Sequence, residues 1–165
     1  MATIQKITPH LWFDHQAEEA ARFYVSVFKN ARLGRISHYG KEGFEIHQRP
    51  AGSVMVVEFW IEGQLFLALN GGPHFTFNES VSFLVNCDTQ EEIDYYWEKL
   101  TDGGDPKSQM CGWLKDKFGL SWQIVPSNMG EVMNDPDRQK ADRVMKEVLQ
   151  MKKLNMDKLE KAYKG

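Results

Sequence analysis

The sequence contains little cysteine, no long hydrophobic run and no strong excess of either charge. Cys87 and Cys111 are its only cysteines, and this pair forms neither a disulfide framework nor a metal-type C-x-x-C motif. No segment approaches the ~18 consecutive apolar residues of a membrane span. The first six residues contain no apolar run long enough for a secretory signal. These absences predict a thiol-reduced, cytoplasmic protein that does not bind a membrane.

The composition is that of an ordinary globular domain. Of the 165 residues, 42% are hydrophobic and 26% are charged, which excludes disorder as the main state. The formal net charge is −3, but residues 138–165 hold nine Lys or Arg against four Asp or Glu. A basic tail can bind nucleic acid, although such charges are more often the solvated face of an amphipathic helix. We favour the helix and expect no nucleic-acid partner, because aromatic and groove-reading motifs are missing.

An internal repeat organises the chain at an offset of 73 residues. Apolar residues in each copy recur at i, i+3, i+4 and i+7, which indicates one buried helical stripe. The matching segments are Glu18-Glu19-Ala20 with Glu91-Glu92-Ile93, Phe23-Tyr24 with Tyr96-Trp97, and Val27 with Leu100. For the second helix, Asp88 or Thr89 offers the capping oxygen.

Apolar runs before and after each helix predict strands. They cover 7–13, 32–39, 53–61 and 64–69 in the first copy, and 81–85, 109–115 and 120–125 in the second. We therefore predict a single α+β domain over 1–165, built from paired βαβββ modules at 5–72 and 79–126. Two facing sheets would leave a cleft between them.

Residues 128–165 lie outside the repeat and predict a C-terminal helical extension. Asp135-Pro136 offers an N-cap and a first-turn proline, and Asn155 can cap a last short helix. We expect the extension to pack on the barrel or on a partner subunit, through Val144, Val148, Met151, Leu159 and Tyr163.

Several motifs resemble the PhnB-like group of the glyoxalase/bleomycin-resistance/extradiol-dioxygenase (vicinal oxygen chelate) superfamily, a group often labelled 3-demethylubiquinone-9 3-methyltransferase. They are Ile7-Thr8-Pro9-His10-Leu11-Trp12-Phe13, Glu19-Ala20-Ala21-Arg22-Phe23-Tyr24, Leu69-Asn70-Gly71-Gly72-Pro73 and the stretch from Cys111 to Gln123. The resemblance implies paired βαβββ modules and commonly a homodimer. Methyl transfer itself is not supported, because Gly71-Gly72 and Gly103-Gly104 do not open a Rossmann-like helix.

Metal enzymes of this superfamily hold a divalent ion through His, Gln or Glu on the first and last strand of each module. By register, those positions fall on Ile7 or Thr8, Leu67 or Ala68, Ser80 and Gln123. One neutral amide among apolar and hydroxyl side chains cannot replace imidazoles and a carboxylate. The sequence therefore predicts no metal site and no cofactor.

Polar and aromatic residues on or beside the predicted strands are candidates for a ligand pocket: His10, Trp12, Glu58, Asn70, His74, Cys111, Trp113, Trp122 and Gln123. Core packing is the alternative for each tryptophan, a solvent-facing position for Glu58 and His74, and a buried inert thiol for Cys111. The repeat matches His10 to Phe83, which predicts a core or helix-facing position. The sequence assigns no catalytic residue.

Two functions of different classes follow. The first is a metal-independent module that binds a small aromatic or amphiphilic molecule. The alternative is an enzyme that acts on a quinone-like or other small substrate, with Glu58, His10 or Cys111 as acid, base or nucleophile. The missing metal ligands favour binding. The family habit and the apolar extension predict a homodimer.

Overall fold

A computed structural model describes residues 5–165 of the chain. The chain divides into two compact units, with unit 1 ending at Thr76 and unit 2 running from Phe77 to Gly165. Each unit contains one small β-sheet and one long helix that follows its first strand. No helix within the described residues is long and apolar enough to cross a membrane.

Unit 1 has the predicted order β-α-β-β-β. Its four-stranded sheet, sheet A, has the order β1-β4-β3-β2, with β1 parallel to β4 and the other pairs antiparallel. One four-residue helix, α2, was not predicted from the sequence. The elements are β1 (His10–Phe13), α1 (Ala17–Val27), β2 (Ala31–His38), α2 (Phe44–His47), β3 (Val54–Ile61) and β4 (Gln64–Asn70).

The core of unit 1 lies between α1 and one face of sheet A. Ala17, Ala20 and Ala21 are fully buried on α1, and their small side chains let the helix approach the sheet closely. Tyr24 stacks on Phe59 of β3, with ring centroids 5.9 Å apart. Side chains alternate along a strand, so every second residue of β1, β3 and β4 points into this core.

Unit 2 begins in the same way but has a smaller sheet. Its three-stranded sheet B has the order β5-β7-β6, with β5 parallel to β7. The part of unit 2 that the structure describes has no counterpart of β2, so this copy is βαββ. Only residues 102–112 connect α3 to β6, and they include Gly103, Gly104 and Pro106, which disfavour a strand. The elements are β5 (Ser82–Cys87), α3 (Gln90–Thr101), a 3-10 turn (Pro106–Ser108), β6 (Trp113–Lys115) and β7 (Ser121–Pro126).

The C-terminal extension is part of unit 2. It consists of α4 (Met129–Met133), α5 (Arg138–Val148) and α6 (Met156–Lys164). Its buried residues form one cluster with Val125 of β7: Val144, Val148, Leu154 and Leu159. Most of the stripe predicted for a barrel or a partner subunit is therefore used within the chain.

The caps of the extension differ in part from the prediction. Asn155 caps α6, as predicted, by accepting the Lys158 amide at 2.9 Å. The cap of α5, however, is Asp137, which accepts the Gln139 amide at 3.1 Å. The predicted cap, Asp135, instead accepts a hydrogen bond from the Tyr163 hydroxyl, so it joins α6 to the loop before α5.

Candidate functional site

The face of sheet A opposite α1 carries the most distinctive side chains of unit 1. We call it the tryptophan face and define it by His10, Trp12, Glu58 and Trp60. Trp12, Glu58 and Trp60 are half-buried, and Glu58 lies next to Leu67 in the β3–β4 register. The surrounding residues of β3 and β4 on this face are aliphatic and also half-buried: Val54, Val56, Leu65, Leu67 and Leu69. The face is thus mainly apolar, with one carboxylate.

Glycine positions the indole ring of Trp12. A Cβ atom added at Gly71 would lie 2.2 Å from Cζ2 of that ring, a distance that no side chain can occupy. The indole Nε1 donates to the Gly72 carbonyl at 2.9 Å, and Phe75 meets the ring edge-on at 5.0 Å between centroids. The orientation of Trp12 is therefore fixed by the backbone that follows β4.

Trp60 is held in a similar way on β3. A Cβ atom at Gly34 of β2 would lie 2.3 Å from Cζ3 of Trp60. The guanidinium carbon of Arg32 lies 3.6 Å from the ring centroid, which is a cation–π contact. Because β2 and β3 are paired, the absence of a side chain at Gly34 lets the ring lie over the neighbouring strand.

Glu58 forms an ion pair with Arg35 that favours its carboxylate form. The β2–β3 register shifts between Leu33 and Ile36, and the bulge brings Arg35 opposite Glu58. The guanidinium donates to both carboxylate oxygens, at 2.7 Å to Oε1 and 3.2 Å to Oε2. These hydrogen bonds lower the pKa of Glu58 below its ordinary value. The Glu58 side chain is 19% exposed, against 88% for Arg35, so the cation is the movable partner.

His10 corrects a sequence prediction. The repeat matched it to Phe83 and therefore to the core, yet His10 is exposed on the tryptophan face. The strand alternates, and Leu11 and Phe13 are the residues that point into the core. The offset of 73 holds for the helices but not for the strands. It matches His10, on the exposed face of β1, with Phe83, which lies on the same face of β5 as the buried Cys87.

Asn70 is a structural residue at the end of β4. It is 8% exposed, and its Oδ1 accepts the Ala17 amide at 2.8 Å while its Nδ2 donates to the Val54 carbonyl at 3.1 Å. In the described part of the chain, Gln16 occupies the N-cap of α1 without a side-chain bond. Asn70 therefore caps α1 from β4, the strand next to β1. Its side chain points to the α1 side of the sheet and is not part of the tryptophan face.

His74 is exposed in the loop after β4, whose residues Gly72 and Phe75 contact Trp12. It lines a polar cavity of about 310 Å³ together with Asp14, His47 and Arg49. Arg49 Nη2 donates to Asp14 Oδ1 at 2.9 Å, and this hydrogen bond is the largest cause of the lowered pKa of Asp14. The pair neutralises most of the charge in this cavity.

In unit 2, Trp122 is a core residue. It is 3% exposed, and its Nε1 donates to Asp116 Oδ2 at 2.9 Å. The other oxygen of Asp116 accepts the amides of Phe118 and Leu120, at 2.8 and 3.1 Å. Sequence analysis missed this role of Asp116, although an aspartate three residues before Gly119 is a turn signal.

The remaining strand candidates of unit 2 lie on the face of sheet B that contains Gln123. Trp113 and Gln123 are half-buried neighbours in the β6–β7 register. Gln123 Nε2 donates to Ser82 Oγ at 2.9 Å. Nearby, the hydroxyl of Ser121 is buried and has no hydrogen-bond partner among residues 5–165. This face therefore combines polar side chains with Trp113 and with Leu84, the β5 neighbour of Gln123.

The two cysteines lie in different surroundings. Cys111 is half-buried against the apolar cluster of the extension, and its amide donates to the Met151 carbonyl at 2.7 Å. Cys87 is buried, and desolvation, with smaller contributions from Glu92 and Asp88, raises its pKa to about 12. The Cys87 thiol is therefore protonated and unreactive at neutral pH.

The side chains at the superfamily's metal positions do not fit a divalent ion. Ile7 is exposed, Ala68 is buried in the core, and Gln123 already donates to Ser82. Nowhere in residues 5–165 do three His, Cys, Asp or Glu side chains form a group that could hold a metal ion. Divalent ions require several oxygen or imidazole donors, and these positions do not supply them.

Comparison with known proteins identifies the family. The sequence profile of the 3-demethylubiquinone-9 3-methyltransferase family matches residues 5–125. The chain belongs to this family. It is also 36% identical to the PhnB protein from Bacillus cereus, with a TM-score of 0.62, over 74% of this chain and 99% of that chain. None of the curated proteins matches the chain.

More distant structures share the fold of this family. A protein from Pseudomonas aeruginosa is 20% identical with a TM-score of 0.56, over 74% of this chain and 98% of that chain. The fosfomycin resistance protein FosX from Mesorhizobium loti is 18% identical with a TM-score of 0.51, over 78% of this chain and 97% of that chain. These similarities confirm the predicted α+β, glyoxalase-like fold.

The methyl transfer in the family's name has no support in the fold of this chain. S-adenosylmethionine-dependent methyltransferases normally bind the cofactor at a glycine-rich turn between a parallel strand and its helix. Between β1 and α1 this chain has Asp14, His15 and Gln16, and Asn70 occupies the helix start. The residues present therefore do not fit that cofactor.

Proposed function

We propose that this protein binds a small aromatic or amphiphilic molecule on the tryptophan face of unit 1, without a metal ion. The observation that carries the proposal is the pair of indole rings, Trp12 and Trp60, each seated on a glycine backbone. Aromatic side chains held in one orientation lose little conformational entropy when a flat ligand stacks on them.

The other groups on this face support the same ligand class. Ligand pockets are mostly apolar and contain a few polar groups that set orientation. Here Val56, Leu67 and Leu69 are half-buried aliphatic residues, and Glu58 is the carboxylate among them. Because Arg35 is largely exposed, it can move aside and leave Glu58 to accept a hydrogen bond from the ligand.

The catalytic alternative lacks comparable support. The hydrogen bonds from Arg35 lower the pKa of Glu58, which weakens this carboxylate as a general base. Cys111 packs against apolar residues of the extension, and an apolar environment does not activate a thiol. We therefore favour binding over turnover.

A ligand screen on metal-free protein tests the proposal. The chain is dialysed against EDTA, and a panel of naphthoquinones, phenols and aromatic amphiphiles is assayed for a raised melting temperature. We expect at least one aromatic compound to bind and to quench tryptophan fluorescence. Mass spectrometry of each compound after incubation checks for turnover, and conversion of a hit would favour the enzyme.

Glycine variants locate the site. Gly71→Ala and Gly34→Ala place a methyl group where the rings of Trp12 and Trp60 lie, so we expect each to weaken binding. Gly40→Ala is the matched control, since a Cβ atom there meets nothing within 4 Å. If all three variants bound the ligand with equal affinity, the binding site would not be on the tryptophan face.

Metal independence and assembly are tested separately. We expect elemental analysis of purified protein to find no stoichiometric Zn, Ni, Mn or Fe, and about one ion per chain would contradict this.

We also infer a homodimer, because homodimers are common in the family. Sedimentation equilibrium of the intact chain at tens of micromolar tests it, and a monomer would overturn it. Since Val144, Val148 and Leu159 are buried within unit 2, they cannot form the interface.

A further inference from the structure

A second cavity lies entirely within unit 2, among the three helices of the extension. Its volume is about 540 Å³, which is in the size range of small-molecule sites. The family match ends at residue 125, so this cavity lies almost wholly in a part of the chain that the family does not define. Its apolar lining residues are Met129, Val132, Val144, Met156 and Leu159.

The rim of this cavity is acidic. Glu131, Asp135 and Glu160 line it, against one cation, Lys164. Lys164 pairs with Glu160 in the next turn of α6. Asp135 accepts the Tyr163 hydroxyl and lies 3.7 Å from Lys140 Nζ.

Glu131 is the carboxylate that remains. It is exposed on α4, and among residues 5–165 it forms no ion pair. The cavity thus combines an apolar interior with one uncompensated negative charge at its edge.

We propose that this cavity binds a small amphiphilic cation, with the apolar body against the methionines and the positive group at Glu131. Methionine side chains adapt to ligands of irregular shape because they are unbranched and flexible. Because Glu131 is exposed, its attraction for the cation is modest, and contacts of the apolar body with the cavity supply most of the binding. This site is independent of the tryptophan face.

An isosteric series tests the charge preference. We use 4-phenylbutylamine as the probe, with 4-phenylbutanol and 4-phenylbutyrate as the neutral and anionic controls. Binding to the full chain is followed by amide chemical shifts in two-dimensional NMR. We expect saturable shifts in residues of α4, α5 and α6, and a dissociation constant for the amine of about 1 mM or lower. The alcohol should bind more weakly, and the carboxylate most weakly.

Two charge-neutralising variants separate the site from general electrostatics. Glu131→Gln should weaken amine binding by about fivefold, the effect of one partly exposed charge pair, and leave the alcohol unchanged. Glu98→Gln is the matched control, because Glu98 is an exposed carboxylate on α3 outside the cavity. Both positions are exposed, so both variants should fold.

Three outcomes of the ligand series would overturn the proposal. These are shifts confined to unit 1, no saturable shift in α4 to α6 at about 5 mM amine, and equal or tighter binding of the carboxylate. An equal effect of Glu131→Gln and Glu98→Gln would show that net charge alone attracts the amine, and would also exclude the assigned site. Shifts confined to unit 1 would be the result expected if the amine bound at the tryptophan face instead, whereas the other outcomes do not bear on that face.

Discussion

The two units start their long helices by different means. In unit 1 the first amide of α1 is capped by Asn70, which lies on the last strand of the sheet. In unit 2 the helix α3 is capped locally, since Thr89 Oγ1 accepts the Glu92 amide at 3.2 Å and Glu92 accepts the Asp88 amide at 2.8 Å. The start of α1 thus depends on a residue 53 positions away in the sequence, whereas the start of α3 depends on residues within four positions of each other.

The two units also differ in the hairpin turn before the last strand of each sheet. The turn of unit 1 is formed by its own backbone, whereas the turn of unit 2 is held by a buried side chain. The β3–β4 turn of unit 1 uses Glu62 and Gly63, both with positive φ, as a two-residue hairpin requires. The β6–β7 turn of unit 2 is organised around the buried carboxylate of Asp116. Each unit therefore contains one buried polar side chain that organises a backbone segment, Asn70 in unit 1 and Asp116 in unit 2.

The largest effect is expected from Asp116→Ala. It leaves two backbone amides and the Trp122 indole without their acceptor, and we expect the free energy of unfolding to fall by about 3 kcal/mol. Urea unfolding monitored by fluorescence measures it. Asp105→Ala is the control, because Asp105 caps an exposed turn through a single bond to the Lys107 amide, and it should cost about 1 kcal/mol. Equal losses would show that burial of the carboxylate is unimportant.

The two helix caps can be compared directly. Asn70→Ala removes a buried acceptor and donor and should cost about 2 kcal/mol, whereas Thr89→Ala at an exposed cap should cost about 1 kcal/mol. Urea unfolding of both variants under one set of conditions gives the difference. A larger loss of unfolding free energy for Thr89→Ala than for Asn70→Ala would contradict this comparison.

Alanine substitution of two serines on sheet B should change stability less, and in opposite directions. Ser121→Ala removes a buried hydroxyl that has no partner in the described chain, so stability should be unchanged or higher. Ser82→Ala removes the acceptor of Gln123 Nε2 and should cost about 1 kcal/mol. Melting temperatures measure both. A clear loss for Ser121→Ala would indicate that the hydroxyl has a bound partner.

The smallest effect concerns the pH dependence of Glu58. Its pKa is lowered by Arg35, so the ion pair stabilises the fold above the ordinary glutamate pKa of about 4.3 and is lost as the pH falls through the lowered value. We expect Arg35→Gln to raise the pKa of Glu58, measured by NMR titration of the carboxyl carbon. Arg22→Gln, which removes an exposed helical pair with Glu18, should leave it unchanged.

Much of the fold could be predicted from the sequence. The 73-residue repeat placed α1 and α3 correctly, because a helical stripe is a local pattern. The strands were harder to assign: the one predicted from residue 7 begins at His10, and the repeat gave His10 the wrong face. A helix tolerates a small shift in alignment, whereas a strand reverses its side chains at each residue.

The candidate site was predicted only in part. Trp12, Glu58 and His10 lie together on the tryptophan face, but Trp60, Gly34 and Gly71 were missed. A glycine beneath an indole ring leaves no periodic signal, since the two residues come from different strands or a loop. Asn70 and Trp122 were also candidates for the pocket, but both side chains are buried and hydrogen-bonded within the protein. The sequence pattern does not show which residues their side chains will contact.

The sequence by itself determined the repeated strand–helix unit, most of the strands, the helical extension and the family. These follow from local periodicity and from motifs that any stretch of chain carries. The tertiary structure alone decided which polar residues hold the fold, which face each strand residue occupies and how the indole rings lie on glycine. These depend on which distant residues are brought into contact, and the free energy of a buried polar group depends on that partner.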